Sequence, residues 1–241
     1  MPLTSPPKSP PTNIGSWRHT PPRPRFNRDH TMNINQPQAL SNFAFPSQKA
    51  KEQIYSLINA DDRFPVDTVN GIILYSDVGT GKSTCAAFLP QEMEEKRSKA
   101  KPTIHVHNCS PSSNQWAIPN QVRNAAFLAS FGGLHYFILD EVSSLTALAQ
   151  DNLRGTMDIV REHAVFITTT NDISKVNTSV KNRSHCINFE TSGPSVFVPI
   201  VRTWLEENGV SHQSISDLDI VKNYVGNAAS IRQVFAQCSL R

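Results

Sequence analysis

A short glycine-containing turn joins an apolar strand pattern to a helical pattern and limits this chain to few folds. Residues 76–84 read Ser-Asp-Val-Gly-Thr-Gly-Lys-Ser-Thr and follow directly on the apolar run Gly71–Tyr75. The spacing is close to G-x-x-x-x-G-K-[ST], the pattern of a phosphate-binding loop. In such a loop, successive backbone N–H groups and the N-terminus of the next helix face the phosphates of a nucleotide. The pattern therefore predicts a strand, a phosphate-binding turn and a helix, in that order.

The residues of this loop have different expected roles in binding a nucleotide. Lys82 supplies a positive charge to the β- and γ-phosphates, and the hydroxyl of Ser83 is a ligand for Mg²⁺. Ser76 stands where the pattern has its first glycine, and a side chain at that position is expected to strain the turn and so to affect affinity. The predicted nucleotide-binding residues are Val78, Gly79, Thr80, Gly81, Lys82, Ser83 and Thr84.

Two carboxylates end a second apolar run. Asp140 and Glu141 follow Tyr136–Leu139. Alone, such a pair is more often a solvated strand end, but a phosphate-binding loop earlier in the chain favours a catalytic role. We expect Asp140 to hold Mg²⁺ through water, and Glu141 to orient and deprotonate the water that attacks the γ-phosphate. Asn171 follows the next strand pattern and is placed to reach that water or the γ-phosphate, although an Asn after a strand is usually only a turn former.

Strand and helix patterns alternate through the middle of the chain, which is typical of a parallel sheet covered on both faces. The five predicted strands are 71–75, 103–107, 136–139, 164–168 and 186–189. After Pro194 the apolar spacing is helical, with helices expected at 196–207, 215–224 and 228–237. We therefore predict an α/β fold with a P-loop NTPase core and a five-stranded parallel sheet at residues 41–192, followed by a small helical lid domain at 193–241.

Two helices of the core have clear apolar faces. Ser47 is a plausible N-cap for a helix whose apolar stripe is Ala50, Ile54, Leu57 and Ile58. A second helix is predicted from Leu145 to Arg161, although Gly155 within it costs about 1 kcal/mol relative to Ala. Its expected buried face comprises Leu145, Leu148, Ala149, Leu153, Met157 and Val160.

Composition separates the first 40 residues from the rest. Nine of the 17 prolines lie between Pro2 and Pro37, and five basic residues against one acidic residue give the segment a net charge of +4. Residues 1–40 are therefore expected to be a disordered basic arm, either a solvated leader or a tether to nucleic-acid phosphates. There is no run of ~20 apolar residues and no apolar leader. The chain is expected to be cytoplasmic or nuclear, neither secreted nor membrane-bound.

Two further stretches resemble a known family. Residues 139–158 read LDEVSSLTALAQDNLRGTMD, and residues 166–176 read FITTTNDISKV. They are similar to D-E-A-D-x-L-T-x-x-A-Q-x-x-L-R-R-T-M-E and F-I-x-x-x-N-x-x-S-K-I of the AAA+ ATPases, specifically clamp-loader subunits of replication factor C type. Phosphate-binding loops occur in many NTPases, whereas the first of these strings is much more specific.

The resemblance implies two arginines that sense ATP. Residues 182–189 resemble the family's S-R-C-x-x-h-x-F, whose arginine acts on the ATP of a neighbouring subunit. Alignment on the final Phe places Arg183 there, whereas a one-residue gap would place His185 there. Arg183 is preferred because a permanently charged planar group suits the γ-phosphate. The segment around Gly226–Phe235 resembles G-D-x-R-x-x-L, in which Arg232 would reach the γ-phosphate from the lid.

The sequence also departs from the family. The N-terminal Y-R-P motif on the adenine side is not visible, Gly155 replaces the second Arg of L-R-R-T-M-E, and Asp158 replaces its Glu. The sequence stops at Arg241, before the collar domain that holds such subunits in a ring. Expected explanations are a small subunit of a viral or mobile-element loader, a fragment, or a stand-alone relative with another client.

The resemblance implies an ATP-dependent switch in DNA replication. Its expected partners are other AAA+ subunits in a homo- or hetero-oligomer, a sliding clamp, and a primed double-stranded/single-stranded DNA junction. DNA contact is expected through backbone N–H groups and basic side chains such as Lys175. The alternatives are a helicase-loading or protein-remodelling AAA+ ATPase without a clamp, and a subunit in which ATP is structural and turnover is negligible.

Overall fold

A five-stranded parallel sheet forms the centre of the chain, as the alternating patterns predict. The computed structural model describes residues 39–59, 64–65, 68–111, 133–207 and 215–225, together with 120, 122, 124, 209, 211, 213, 233 and 234. The strand order is β2-β3-β4-β1-β5. The strands are β1 (Gly71–Tyr75), β2 (Thr103–Asn108), β3 (His135–Asp140), β4 (Ala164–Thr170) and β5 (Ser184–Asn188).

The register of the strands brings their carboxyl ends to one edge. Tyr75 pairs with Thr170, and Asn108 pairs with Asp140. Every pairing between neighbouring strands is parallel. The loops that follow β1, β3 and β4 therefore begin at the same edge of the sheet, where ligands of open α/β sheets bind.

Helices cover both faces of the sheet. The α-helices are α1 (Gln48–Ile58), α2 (Lys82–Arg97), α3 (Ala147–Ile159), α4 (Thr178–Lys181), α5 (Val198–Glu207) and α6 (Asp217–Ile220). Side chains of α1 and α2 pack with Ile72, Leu74 and Tyr136 on one face. Side chains of α3 pack with Ile73 and Phe137 on the other. The alternation of these strand residues between the two clusters is the period-two pattern of strands buried on both faces.

The helix starts follow their capping residues. The Ser47 hydroxyl accepts a hydrogen bond from the Ala50 N–H at 3.1 Å, which confirms the predicted cap of α1. The hydroxyl of Thr146 likewise caps α3, accepting from the Ala149 N–H at 3.2 Å. Because Thr146 is the cap, Leu145 lies outside the helix, although it is buried.

One residue of the predicted face of α3 is placed differently. The apolar spacing predicts Leu148 on the buried face, and this prediction is wrong, because its side chain is 53% exposed. It precedes the buried Ala149 by one position, which is about 100° around the helix. Leu153 and Met157, which follow Ala149 at helical spacing, are buried as predicted.

A third apolar cluster comprises residues from Phe197 onward. It includes Trp204, Leu205, Ile220 and Val234. The 3₁₀ turn Pro194–Phe197 leads into α5, and α6 continues into a π-helical turn at Val221–Val225. Of the helix predicted at 228–237, the described residues 233 and 234 are helical.

The N-terminal part of the chain enters the core before α1. Leu40, in the 3₁₀ turn Leu40–Asn42, is 1% exposed and belongs to the cluster under α1 and α2. The rest of the predicted basic arm, residues 1–38, lies outside the described residues. In the described part of the chain, none of the helices has both the length and the apolar content needed to cross a bilayer.

Candidate nucleotide-binding site

The predicted phosphate-binding loop connects β1 to α2. Gly79 and Gly81 adopt positive φ values of 87° and 94°, which glycine tolerates and other residues rarely adopt. Gly81 is the N-cap of α2, so the helix begins at Lys82. Ser76 is not among the described residues with positive φ. The serine at this position therefore needs no left-handed backbone conformation.

The side chains of Ser76, Thr80 and Lys82 form one buried network. The hydroxyls of Ser76 and Thr80 are 2.6 Å apart. The Lys82 ammonium donates to the Asp77 carbonyl at 2.7 Å, to the Ser76 carbonyl at 2.9 Å and to the Ser76 hydroxyl at 3.3 Å. An ammonium group has three N–H donors, so these acceptors match its full capacity.

The charge state of Lys82 reflects opposing influences. Burial lowers the pKa of its ammonium group, because desolvation disfavours the charged form. The carboxylates of Glu141, Asp140 and Asp77 act in the opposite direction. A bound polyphosphate would add negative charge beside Lys82 and so favour its protonated form.

The loop and the end of β3 meet through Ser83 and Asp140. The Ser83 hydroxyl donates to Asp140 Oδ1 at 2.8 Å. These two residues are 57 positions apart in sequence, and the sheet brings them together. The buried Thr169 hydroxyl, from the end of β4, donates to the same carboxylate oxygen.

Glu141 lies beside this pair in an unusual backbone conformation. Its φ of 59° lies in the left-handed region, which is uncommon for a residue with a side chain. Its carboxylate accepts hydrogen bonds from Asn171 Nδ2 at 2.6 Å, from the Asn171 backbone N–H at 3.3 Å and from the Ser143 hydroxyl at 2.6 Å. The structure thus brings Glu141 and Asn171 into direct contact.

The side chains of Ser83 and Asp140 have the chemistry of Mg²⁺ ligands. The Ser83 hydroxyl and the Asp140 carboxylate are hard oxygen donors, which Mg²⁺ prefers, and their contact shows that one ion could reach both. The neighbouring thiol of Cys109 is a poor candidate ligand. Burial, together with the charges of Asp140 and Glu141, raises its pKa to about 12 and keeps it protonated.

Arg183 lies at the opposite end of the strands from the loop, where β1 begins. Its carbonyl accepts from the N–H of Gly71, the first residue of β1, at 2.9 Å, whereas the loop begins after the last residue of β1. The guanidinium donates to both oxygens of Asp158, at 2.5 and 3.0 Å, and to the Ser179 carbonyl at 2.9 Å. The structure therefore does not bring Arg183 to the loop of its own chain.

Of the other two candidate ATP sensors, His185 lies among the described residues and Arg232 does not. His185, the alternative to Arg183, lies in β5 with its ring 5.5 Å from that of Phe64, and burial lowers its pKa. It pairs with Ile72 near the start of β1, so it too lies away from the loop. Arg232 lies outside the described residues.

Sequence reasoning missed three residues that contact the site residues. Thr169 contacts Asp140 and Glu141, Ser143 contacts Glu141, and Asp158 holds Arg183. Thr169 lies two positions before Asn171, on the strand that ends at the site, so the period of two along a strand could have identified it. No local signal identifies Asp158 as a partner of Arg183, because the two are 25 residues apart.

Comparison with known sequences supports the resemblance drawn from the motifs. The replication factor C small subunit of Haloarcula marismortui is 29% identical over 134 residues, covering 55% of this chain and 40% of that protein. The replication factor C small subunit 2 of Pyrobaculum islandicum is 28% identical over 141 residues, covering 58% and 43%. The chain thus spans less than half the length of these curated relatives. No family model matches the chain.

Comparison with solved structures confirms the fold. A point variant of RuvB from Thermotoga maritima superimposes with a TM-score of 0.61 at 14% identity, covering 84% of this chain and 64% of that one. A chain from the HORMA:CdnC:Trip13 complex of E. coli MS115-1 gives a TM-score of 0.56 at 12% identity, covering 73% and 72%. The chain thus shares the fold of these proteins, whereas the similarity to replication factor C subunits comes from the sequence.

Proposed function

We propose that this chain is an ATP-hydrolysing subunit of a DNA sliding-clamp loader. The observation that carries the ATPase part is the convergence of Ser83, Asp140, Glu141 and Asn171 at the carboxyl edge of the sheet. The Ser83 hydroxyl lies 2.8 Å from Asp140 Oδ1, and Asn171 Nδ2 lies 2.6 Å from Glu141 Oε2. The clamp-loader part is supported by the names of the relatives, which are replication factor C subunits.

The proposed reaction is in-line attack of water on the γ-phosphate of ATP, giving ADP and phosphate. The loop N–H groups and Lys82 bind and orient the triphosphate. The Glu141 carboxylate accepts a proton from the attacking water, and Asn171 orients that carboxylate. Mg²⁺, held by Ser83 and through water by Asp140, would neutralise charge on the β- and γ-phosphates.

Arg183 is proposed to act on the ATP of a neighbouring subunit. Its position at the edge opposite its own loop supports a role between chains, because it cannot serve the site of its own chain from there. The helices from residue 193 onward are proposed as a lid, with Arg232 reporting the γ-phosphate. Binding of ATP would then favour a stack of subunits, and hydrolysis would release it.

The proposed partners are other AAA+ subunits, a sliding clamp and a primed DNA junction. The basic arm, residues 1–40, and exposed basic residues such as Lys175 are proposed to contact phosphates. A site of action in the cytoplasm or nucleus follows from these partners. The alternative role, helicase loading or protein remodelling, would use the same ATP chemistry on another client.

A steady-state ATPase assay with two variants tests the chemistry. We expect Lys82→Ala to abolish ATP binding, because the phosphates lose their charged partner. We expect Glu141→Gln to bind ATP with unchanged affinity and to lose turnover by about 100-fold or more, because an amide cannot accept the proton. Equal loss of binding and turnover in the Glu141 variant would contradict its role as the base.

The client is tested in the same assay. We expect turnover of the wild-type protein to rise when primed DNA and a sliding clamp are both added, and to rise less with either alone. Stimulation by a helicase or another protein, and not by clamp and DNA, would favour the alternative role. Binding of ATP without turnover under any of these conditions would show that the nucleotide is structural.

A further inference from the structure

Thr169 contacts both acidic residues of the candidate site through a single hydroxyl group. The hydroxyl donates its hydrogen to Asp140 Oδ1. Its oxygen accepts the backbone N–H of Glu141 at 3.1 Å. Thr169 is 1% exposed in β4, so water cannot readily take over either contact. One buried hydroxyl therefore connects the two residues at the end of β3.

The contact with Glu141 fixes a strained part of the backbone. The φ of 59° at Glu141 is of the kind that persists only where surrounding contacts hold it. The bond from its N–H to Thr169 is such a contact. The direction in which the Glu141 carboxylate leaves the backbone depends on this conformation.

The contact with Asp140 determines which oxygen of the carboxylate is engaged. Both Thr169 and Ser83 donate to Oδ1, so the carboxylate is held from the strand side and from the helix side. Side chains that orient a carboxylate ligand in this way affect metal affinity and activity, although they do not touch the metal.

We propose that Thr169 is a positioning residue that sets the orientation of Asp140 and Glu141 together. The proposal rests on the ATPase function proposed above. Thr169 does not touch the nucleotide or the attacking water in this role. It acts through Asp140 on the binding of Mg²⁺ and through the Glu141 backbone on the placement of the base.

The adjacent residue in β4 offers a matched control. Thr168 is also 1% exposed, but its hydroxyl donates to the Ile72 carbonyl at 3.3 Å, away from the acidic pair. Thr→Val keeps the branched shape and removes the hydroxyl at either position. A general effect of burying valine in β4 would appear in both variants, whereas a positioning effect appears in Thr169→Val alone.

The first measurement is amide hydrogen exchange at Glu141 in the full chain without nucleotide. We expect exchange to be at least about tenfold faster in Thr169→Val than in the wild type, because the N–H loses its acceptor. It should be unchanged in Thr168→Val and in Thr169→Ser, which keeps a hydroxyl. Equal protection of Glu141 in Thr169→Val and wild type would overturn the proposal without any reference to ATP.

The second measurement is the Mg²⁺ dependence of binding and hydrolysis of ATP. We expect Thr169→Val to need about tenfold more Mg²⁺ for half-maximal tightening of ATP binding and to lose about tenfold or more in turnover. Affinity for ATP in EDTA should be unchanged, and Thr169→Ser should recover most of the loss. Thr168→Val should match the wild type in all of these values.

The outcomes separate this proposal from the proposed function. A wild-type protein that neither binds nor hydrolyses ATP would refute the function, while the exchange measurement would still judge the placement of Glu141. An active wild type with identical Mg²⁺ dependence in Thr169→Val and Thr168→Val would refute the positioning role alone.

Discussion

Ser76 offers Lys82 a hydroxyl acceptor, and this is one of the contacts that the Lys82 ammonium exchanges for a phosphate when a nucleotide binds. Each of the three donors of the Lys82 ammonium has an acceptor within the loop. The contact with the Ser76 hydroxyl, at 3.3 Å, is the longest of these, and that hydroxyl also has Thr80 as a partner. It is therefore the contact that Lys82 gives up at the lowest cost. A glycine at this position would present no hydroxyl to compete with phosphate.

We expect Ser76→Ala to bind ATP about twofold to fivefold more tightly than the wild type, since a competing hydrogen bond to Lys82 is removed. Isothermal titration calorimetry with ATP and Mg²⁺ measures the change. Ser179→Ala, which keeps the backbone carbonyl that contacts Arg183, is the control and should bind like the wild type. Weaker binding by Ser76→Ala would mean that the hydroxyl supports the loop and does not compete with phosphate.

Helix α2 is anchored to β3 at the end away from the loop. Glu94, on α2, is fully buried, and its carboxylate accepts from the Tyr136 hydroxyl at 2.9 Å and from the Leu134 N–H at 3.3 Å. The Ser98 hydroxyl donates to the same carboxylate. Burial, and secondarily the charge of Glu94, raises the pKa of Tyr136, so the phenol remains a donor. This contact helps fix α2, whose N-terminus carries Lys82 and Ser83.

We expect Glu94→Ala to lower the free energy of unfolding by about 3 kcal/mol, because the Tyr136 hydroxyl and the Leu134 N–H are left buried without their acceptor. Urea denaturation followed by circular dichroism measures the loss. The neighbouring Glu95 is exposed, and Glu95→Ala should change stability by no more than about 0.5 kcal/mol. A similar small change in both variants would show that the carboxylate is not a structural anchor.

The end of α3 orients the side chain of Arg183, the residue just before β5. Asp158, the last residue but one of α3, holds the Arg183 guanidinium through two hydrogen bonds, a geometry that restricts its direction. Asp158 stands where the family has Glu, and it keeps the carboxylate. Arg183, whose side chain is 21% exposed, is thus oriented by its own chain.

At the level of the whole molecule, the loop and Arg183 occupy opposite edges of one sheet. The strand β1, of five residues, separates them. At about 3.3 Å per residue this is a distance of roughly 17 Å. If Arg183 acts on the ATP of a neighbouring chain as proposed, turnover should depend on assembly.

Mixing two inactive variants tests this arrangement. We expect Arg183→Ala and Glu141→Gln each to lose turnover by at least about 100-fold when alone. An equimolar mixture should recover a clear fraction of wild-type activity, because the intact site of the first can receive Arg183 of the second. A mixture of Lys82→Ala with Glu141→Gln is the control and should stay inactive, since neither chain has an intact site. No recovery in the first mixture would contradict action between chains.

Local patterns were sufficient to predict most of the secondary structure and the loop. The strand runs, the Ser47 cap and the glycines of the loop depend on residues only a few positions apart, so the sequence displays them directly. The prediction for Leu148 is wrong because apolar spacing alone does not fix which side of the helix faces the sheet. The start of the helix likewise depends on its cap, here Thr146, more than on the apolar residues themselves.

The residue types at the site were visible in the chain, whereas their mutual contacts were not. Asp140, Glu141 and Asn171 could be chosen because parallel strands end at a common edge, a rule that needs no coordinates. The roles of Thr169 toward Asp140 and of Asp158 toward Arg183 depend on register and helix rotation, and these partners are 29 and 25 residues apart. Such distant pairs follow only from the packing of the sheet and helices, because no local preference of either residue specifies the other.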